Sequence, residues 1–193
     1  MGRPIHLRAP FGPEEAARLR AGDEILLSGV VFTARDAAHE RLFHLLEAGK
    51  PLPVDLQGQV IYYCGPTPAR PGRPIGSAGP TTASRMDPYT PALLAYGVRG
   101  MIGKGRRSLQ VREAILQYRA IYFGAVEGTA AMLGERVREA KIVAFPDLGA
   151  EAVYKLVIQD FPVVVINNMA GGDLYEEGRA RYQEIGSNTS SIK

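Results

Sequence analysis

The sequence predicts an α/β fold in which a mixed β-sheet is flanked by helices. Apolar, β-branched runs of strand length alternate along the chain with segments whose apolar residues recur at helical spacing. At 193 residues, with 46% hydrophobic and 22% charged residues, the chain can bury a core of ordinary size. It contains no internal repeat and no linker, and we therefore expect a single domain over residues 1–193.

The first quarter of the chain predicts a helix, a strand and a second helix. Residues 13–20 begin with proline and two acids, which favour a helix start. Residues 24–33 form an apolar run rich in β-branched side chains, which predicts a strand. From 35 to about 48 the apolar residues return at helical spacing, and Gly49 is suited to end that helix.

The middle of the chain predicts short elements around a long loop. Residues 59–64 form a short apolar strand. Residues 65–79 are rich in proline and glycine, and loops of this length in a compact domain are usually functional or disordered. A helix should begin near Thr81, break at Pro88 and continue over residues 91–96.

The second half predicts further strands and helices that complete the sheet. A strand over 98–102 runs into Gly103-Lys104-Gly105, and Ser108 is suited to cap the helix that follows. The remaining elements are helices over 108–119, 127–133 and 174–184, strands over 120–124, 141–145, 152–158 and 161–166, and a frayed tail over 187–193. The last two strands should join tightly at Gln159-Asp160.

Charge and cysteine content argue against several classes of function. The net charge of +3 is small and the cationic residues are scattered, which argues against nucleic-acid binding. Cys64 is the only cysteine, so no internal disulfide can form, and we expect an intracellular, cytoplasmic protein. One thiol cannot hold an iron–sulfur cluster, and the three histidines lack zinc-ligand spacing. No apolar run approaches the ~20 residues of a membrane span.

The most informative stretch is Gly-Pro-Thr-Thr-Ala-Ser-Arg-Met-Asp at residues 79–87. The hydroxyls of Thr81 and Thr82 and the guanidinium of Arg85 fall at the start of the expected helix. Free backbone N–H groups, hydroxyls and a guanidinium in a first turn form an anion site, well suited to a carboxylate. The alternative is that a threonine only caps the helix and Arg85 is solvated.

Two further cationic motifs can join that site. Arg35 and His39 lie four residues apart and share a helix face, where His39 is either a proton relay or a satisfied helix histidine. Asp36 can instead pair with Arg35 in a plain surface ion pair. Lys104 lies between two glycines that let backbone approach a ligand closely, unless it is an exposed turn lysine. Each motif follows a strand or opens a helix, which favours one shared site for a small dicarboxylate.

On these residues the chain resembles the β subunit of class I, iron–sulfur fumarate hydratase and its close relative, the β subunit of L(+)-tartrate dehydratase. The likeness covers nearly the whole chain. The motifs that carry it lie at residues 22–25, 33–39, 62–66, 79–87, 103–105, 148–152 and 160–162. One departure is Asn167-Asn168, since family members usually have an aspartate before a Gly-Asn segment there.

The resemblance implies a swivelling β/β/α domain and the reversible hydration of fumarate to L-malate. It also implies that a partner α subunit holds a four-iron four-sulfur cluster, that the assembly is α2β2 and that this chain alone binds no metal and is inactive. The family's substrate-contacting positions match here as Arg35, Thr82, Arg85 and Lys104, with Thr81 as the catalytic base and His39 as a catalytic position near the site. Two alternatives stay open: the same chemistry on L-tartrate, and a non-catalytic anion-binding or assembly subunit.

Overall fold

A computed structural model describes residues 3–126 and 128–189, with side chains described as far as residue 182. The strands are β1 (Ile5–Ala9), β2 (Glu24–Thr33), β3 (Val60–Tyr62), β4 (Gly100–Gly103), β5 (Ile121–Gly124), β6 (Val137–Ala144) and β7 (Val153–Asn167). The α-helices are α1 (Pro13–Ala17), α2 (Asp36–Glu47), α3 (Thr90–Tyr96), α4 (Leu109–Tyr118), α5 (Ala130–Glu135) and α6 (Leu174–Thr189). Two 3-10 helices cover Ala83–Met86 and Pro146–Glu151.

The strands form a mixed sheet that closes on itself. Its order is β1-β2-β3-β4-β5-β7-β6, and an additional pairing of β2 with β7 makes a closed ring of β2, β3, β4, β5 and β7. Strands β1 to β5 are parallel to their neighbours in that order, whereas β7 runs antiparallel to β2, β5 and β6. The predicted mixed sheet flanked by helices is therefore confirmed. Because β2, β3 and β4 are parallel, the segments that follow them leave from the same edge.

Two buried clusters line the two faces of the sheet. One packs alternate strand residues such as Ile61 and Tyr63 against α2, α3 and α4. The other takes the opposite face, with Val60, Tyr62 and Cys64, together with residues of α1 and α5. The alternation along β3 follows the two-residue period of a strand, which fixes which side chains face each layer.

Strand β7 is longer than the sequence indicates. We expected two strands over 152–158 and 161–166, but β7 is one strand of 15 residues. Asp160 takes a left-handed backbone conformation within it (φ 49°), and its N–H donates to Ser28 Oγ at 2.9 Å. A single left-handed residue here makes a local irregularity instead of a chain reversal, so pairing with β2 continues past it.

Other differences lie at the chain ends, in one short helix and in β6, which begins at Val137, before the strand expected over 141–145. Strand β1 was not predicted, because only Leu7 and Ala9 of its residues are buried and its outer face is polar. Helix α6 runs to Thr189 and so includes part of the tail expected to fray, whose residues 190–193 lie outside the described part. The helix expected over 127–133 is α5, and residue 127 also lies outside the described residues.

Candidate active site

The Thr81–Thr82 segment continues the sheet and does not begin an α-helix. Thr82 and Lys104 form an isolated parallel bridge, in which Ala83 N–H donates to the Lys104 carbonyl at 2.8 Å and Lys104 N–H donates to the Thr81 carbonyl at 3.2 Å. Thr81 N–H donates to the Tyr63 carbonyl at 2.6 Å. The helix expected to begin near Thr81 is the 3-10 helix Ala83–Met86, with Thr82 at its N-cap. The expected free N–H groups are wrong for Thr81 and Ala83, because carbonyls of the chains that leave β3 and β4 accept them.

This bridge sets the hydroxyl of Thr82 beside the segment that carries Lys104. Thr82 is exposed, while Thr81 and Lys104 are half-buried. Thr82 and Lys104 line a hollow of about 650 Å³ whose other walls include Gly105, Tyr175 and the apolar side chains of Val164 and Ile166. A hydroxyl-bearing and an ammonium-bearing residue thus both line a largely apolar depression, where charge is less screened than in open solvent.

Arg35 and Arg85 meet on the carboxylate of Asp36. Arg85 Nε lies 2.7 Å from Asp36 Oδ1, and Arg35 Nε lies 3.3 Å from Asp36 Oδ2. Arg35 Nη2 lies 3.5 Å from Glu151 Oε1. The sequence offered Asp36 only as a partner for Arg35, whereas it joins two arginines that lie fifty residues apart in the printed sequence.

Glu151 is a residue of this cluster that sequence reasoning missed. Its Oε2 accepts the N–H of Ala37 at 3.0 Å in the first turn of α2, where the helix dipole favours an anion. Its Oε1 faces Arg35, which occupies the N-cap position of the same helix. The only sequence signal was the Leu-Gly-Ala-Glu-Ala motif at residues 148–152, which carries no contact information by itself.

His39 is fully buried beneath the arginine cluster. Its Nδ1 lies 3.1 Å from the Arg35 carbonyl oxygen, which only accepts, so Nδ1 carries the proton of the neutral ring. Burial lowers the pKa of His39 to about 4, assisted by the nearby charge of Arg107. Nε2 is buried and has no hydrogen-bonding partner among the described residues. His39 is therefore neutral near pH 7 and holds the backbone of Arg35.

Cys64 packs as a core residue just after β3. Its residue surface is completely buried, and burial raises the pKa of the thiol to about 12. Among the described residues, no group of three or more His, Cys, Asp or Glu side chains is placed to hold a metal ion. Within the same part of the chain, no helix combines the length and apolarity needed to cross a membrane.

The structure thus joins the predicted residues in two groups that share one short element. Arg35 and Arg85 meet through Asp36, and Thr82 and Lys104 meet through their backbones. The 3-10 helix Ala83–Met86 directly follows Thr82 and carries Arg85, so it connects the groups. The fold and site together define an α/β domain with a cluster of cationic and hydroxyl side chains where parallel strands end.

Comparison with known proteins places the chain in a family. It belongs to the family described as Fumarase C-terminus, whose model matches residues 2–178. It is 39% identical over 153 residues to the anaerobic class I fumarate hydratase of Escherichia coli (strain K12), and 37% identical over 178 residues to the mitochondrial fumarate hydratase 1 of Leishmania major. The resemblance inferred from the motifs is therefore confirmed.

The chain matches a small part of the fumarate hydratases but nearly all of a relative named as a separate subunit. The chain spans only about a third of the length of the fumarate hydratases, 28% of the bacterial one and 32% of the Leishmania one. A Methanocaldococcus jannaschii protein, provisionally named L(+)-tartrate dehydratase subunit beta, is 31% identical over 177 residues, which are 89% of this chain and 91% of that protein. The chain therefore matches nearly the whole of one relative, a protein named as a subunit, and about a third of the others.

Proposed function

We propose that the chain is the β-type part of a hydro-lyase that reversibly hydrates fumarate to L-malate. The observation that carries the proposal is the convergence of Arg35 and Arg85 on one carboxylate, that of Asp36. Two guanidinium groups that share one carboxylate are close enough to share another on an incoming diacid. The family relationship supports the reaction, because the matched bacterial and protozoan relatives are named fumarate hydratases.

The proposed roles follow the chemistry of each side chain. Arg35, Arg85, Thr82 and Lys104 bind the substrate carboxylates, and Thr81 acts as the catalytic base. Removal of a proton next to a carboxylate creates a doubly charged species, which preorganised cations stabilise more than they stabilise the substrate. A threonine hydroxyl needs a cationic and dry surround to lose its proton, which Arg85 and Lys104 would supply once the site is covered.

In this proposal His39 positions Arg35 and does not itself contact the substrate. Its Nδ1–H donates to the carbonyl of Arg35, whose guanidinium is the binding group. The ring is buried and its pKa is about 4, so it carries no charge that would compete for a dicarboxylate. We therefore assign His39 to holding Arg35 at the N-cap of α2.

The iron–sulfur cluster implied by the resemblance does not fit this chain. Cys64 is the one cysteine of the sequence, it is buried in the core, and its thiol holds its proton up to a pKa of about 12. A cluster requires several thiolates. We propose that a partner α polypeptide brings the four-iron four-sulfur cluster, that the two chains assemble as α2β2 in the cytoplasm, and that this chain alone is inactive.

Co-expression with a cluster-bearing partner under anaerobic conditions tests the proposal. We expect the complex to hydrate fumarate, and Arg85→Ala or Lys104→Ala to lower kcat/KM by about 10²-fold or more while the complex still assembles. Arg18→Ala removes an exposed arginine of the α1 C-terminus and should leave kcat/KM within about twofold. Wild-type rates in both site variants would exclude these roles.

L-tartrate is the second candidate substrate, favoured by the Methanocaldococcus relative that this chain covers almost completely. Competition between fumarate and L-tartrate on the same complex separates the two by their kcat/KM ratio. A Thr81→Val variant with unchanged turnover would instead support a non-catalytic subunit that only binds anions or aids assembly.

A further inference from the structure

A buried ion pair joins the end of the 79–87 motif to the loop after β4. Arg107 Nε lies 2.8 Å from Asp87 Oδ1, and the side chains are 0% and 11% exposed. The second carboxylate oxygen, Asp87 Oδ2, accepts the N–H of Ser108 at 2.7 Å. We call these two residues the Asp87–Arg107 pair. Burying two charges costs free energy of desolvation, unless their remaining hydrogen-bonding groups also find partners.

The guanidinium of Arg107 uses its planar fork to reach three different elements. Nη1 donates to the hydroxyl of Tyr63 at 3.0 Å, and Nη2 donates to Thr90 Oγ1 at 2.7 Å. The guanidinium carbon lies 5.2 Å from the ring centre of Tyr63 and 4.9 Å from that of Tyr122. Lysine lacks the planar group that lets Arg107 lie near two aromatic rings while it donates to several partners.

Each partner of the pair is bonded in turn to a segment that carries a site residue. The Tyr63 carbonyl accepts the N–H of Thr81, and the Tyr122 hydroxyl donates to the Gly105 carbonyl at 2.9 Å, directly after Lys104. Asp87 immediately follows the 3-10 helix that carries Arg85. Thr90 Oγ1 also donates to the Met86 carbonyl at the end of that helix, at 2.8 Å.

We propose that the Asp87–Arg107 pair is a positioning pair for the reaction, which sets the placement of Thr81, Arg85 and Lys104 relative to one another. The inference rests on the proposed function for its catalytic consequence. The pair itself touches no substrate: it acts through the hydrogen bonds of Tyr63, Tyr122 and the 3-10 helix. Catalysis depends steeply on placement, so a small displacement of these segments lowers turnover strongly.

The test is Arg107→Lys in the reconstituted complex, because lysine keeps the charge beside Asp87 but cannot serve Tyr63 and Thr90 at once. We expect kcat to fall at least about tenfold and KM to rise less, since the lost alignment matters most in the transition state. The control is Arg112→Lys, which alters a more exposed arginine–aspartate pair, Arg112 with Asp173 at 3.2 Å. The control should keep both constants within about twofold.

Two outcomes of this comparison overturn the inference. The first is an Arg107→Lys complex whose kcat stays within about twofold of wild type. The second is a loss of kcat that Arg112→Lys shares in proportion to its loss of thermal stability, which indicates a general structural effect. If Arg107→Lys does not fold, Tyr63→Phe replaces it: that variant removes one hydroxyl partner and should lower kcat about threefold to tenfold.

A structural readout separates this inference from the proposed function. In a crystal structure of the Arg107→Lys chain we expect the bridge between Thr82 and Lys104, now held by the 2.8 Å bond from Ala83 N–H to the Lys104 carbonyl, to be broken. An intact bridge overturns the positioning role whether or not the wild-type complex hydrates fumarate. If the bridge is broken but the wild-type complex does not hydrate fumarate, the pair still positions these segments and the hydratase assignment is rejected.

Discussion

Asp36 is the residue that brings the two arginines of the candidate site together. It lies in the first turn of α2, where the helix dipole favours an acid, and it forms ion pairs with both Arg35 and Arg85. The sequence suggests the first contact, because the two residues are adjacent, but it contains no signal for the second. Contacts between residues far apart in the chain depend on strand order, which periodicity does not specify.

A pH dependence of stability follows from the burial of His39. In the unfolded chain its pKa returns to about 6.5, whereas in the folded chain it is about 4. Between these values the unfolded state binds more protons, so stability decreases as the pH falls through this window. The contribution is fully present above pH 6.5 and amounts to roughly 3 kcal/mol. Urea denaturation at several pH values between 7 and 4 measures it.

The control for this prediction removes the titrating group but keeps its donor. In His39→Asn the amide can still donate to the Arg35 carbonyl, and the stability of the variant should fall less steeply between pH 6.5 and 4. His44→Gln alters a mostly exposed histidine of the same helix, with a side chain 65% exposed, and should keep the wild-type slope. Equal slopes for wild type and His39→Asn would contradict the assignment.

At the scale of elements, local chemistry predicted most helices and strands but missed β1 and misjudged two further segments. Strand β2 and the Ser108 cap of α4, where Ser108 Oγ accepts the Val111 N–H at 3.3 Å, agree with the sequence prediction. The segment at Thr81 does not, because its N–H groups bond to chains leaving β3 and β4 and not to its own turn. The tight turn predicted at Gln159-Asp160 is also absent, because pairing of β7 with β2 outweighs the local preference of these residues for a turn.

The contact between α5 and the long loop can be tested through Gly134. A Cβ added there would lie 2.2 Å from the carbonyl oxygen of Gly76, which is backbone and cannot rotate away. Gly134→Ala should therefore destabilise the chain by about 2 kcal/mol, measured by thermal or urea unfolding. Gly178→Ala in α6, where nothing lies within 4 Å, should be neutral or stabilise by up to about 1 kcal/mol. Equal effects of the two substitutions would refute the close approach.

At the scale of the whole molecule, periodicity and composition were sufficient for the fold class but not for closure of the sheet. Alternating apolar runs predict strands and helices, and hence a mixed sheet between helical layers. The pairing of β2 with β7 brings together segments far apart in sequence, and no local pattern encodes it. Likewise, the Asp87–Arg107 pair was not predicted because nothing distinguishes Arg107 from the other arginines until the fold buries it.

Gly29 tests the packing of β1 and β2 at the closed sheet. Its backbone has a φ of +110°, and an added Cβ would lie 2.1 Å from the Ala9 carbonyl oxygen on β1. Gly29→Ala should cost about 3 kcal/mol or more, from backbone strain and collision together. Gly58→Ala shares the positive φ but meets no atom within 4 Å, and should cost only about 1–2 kcal/mol. Calorimetric unfolding compares the stability of the two variants. Similar losses of stability would show that the collision with Ala9 does not contribute.

The long strand β7 has a consequence for how any ligand enters. It pairs with β2, β5 and β6, and the backbone of Lys104 is hydrogen-bonded to Thr81 and Ala83, so the strands and loops that line the hollow belong to one hydrogen-bonded sheet. Separating those strands would break many interstrand hydrogen bonds at once. We therefore expect a ligand to enter this hollow from its solvent-exposed side, without separation of the strands that line it.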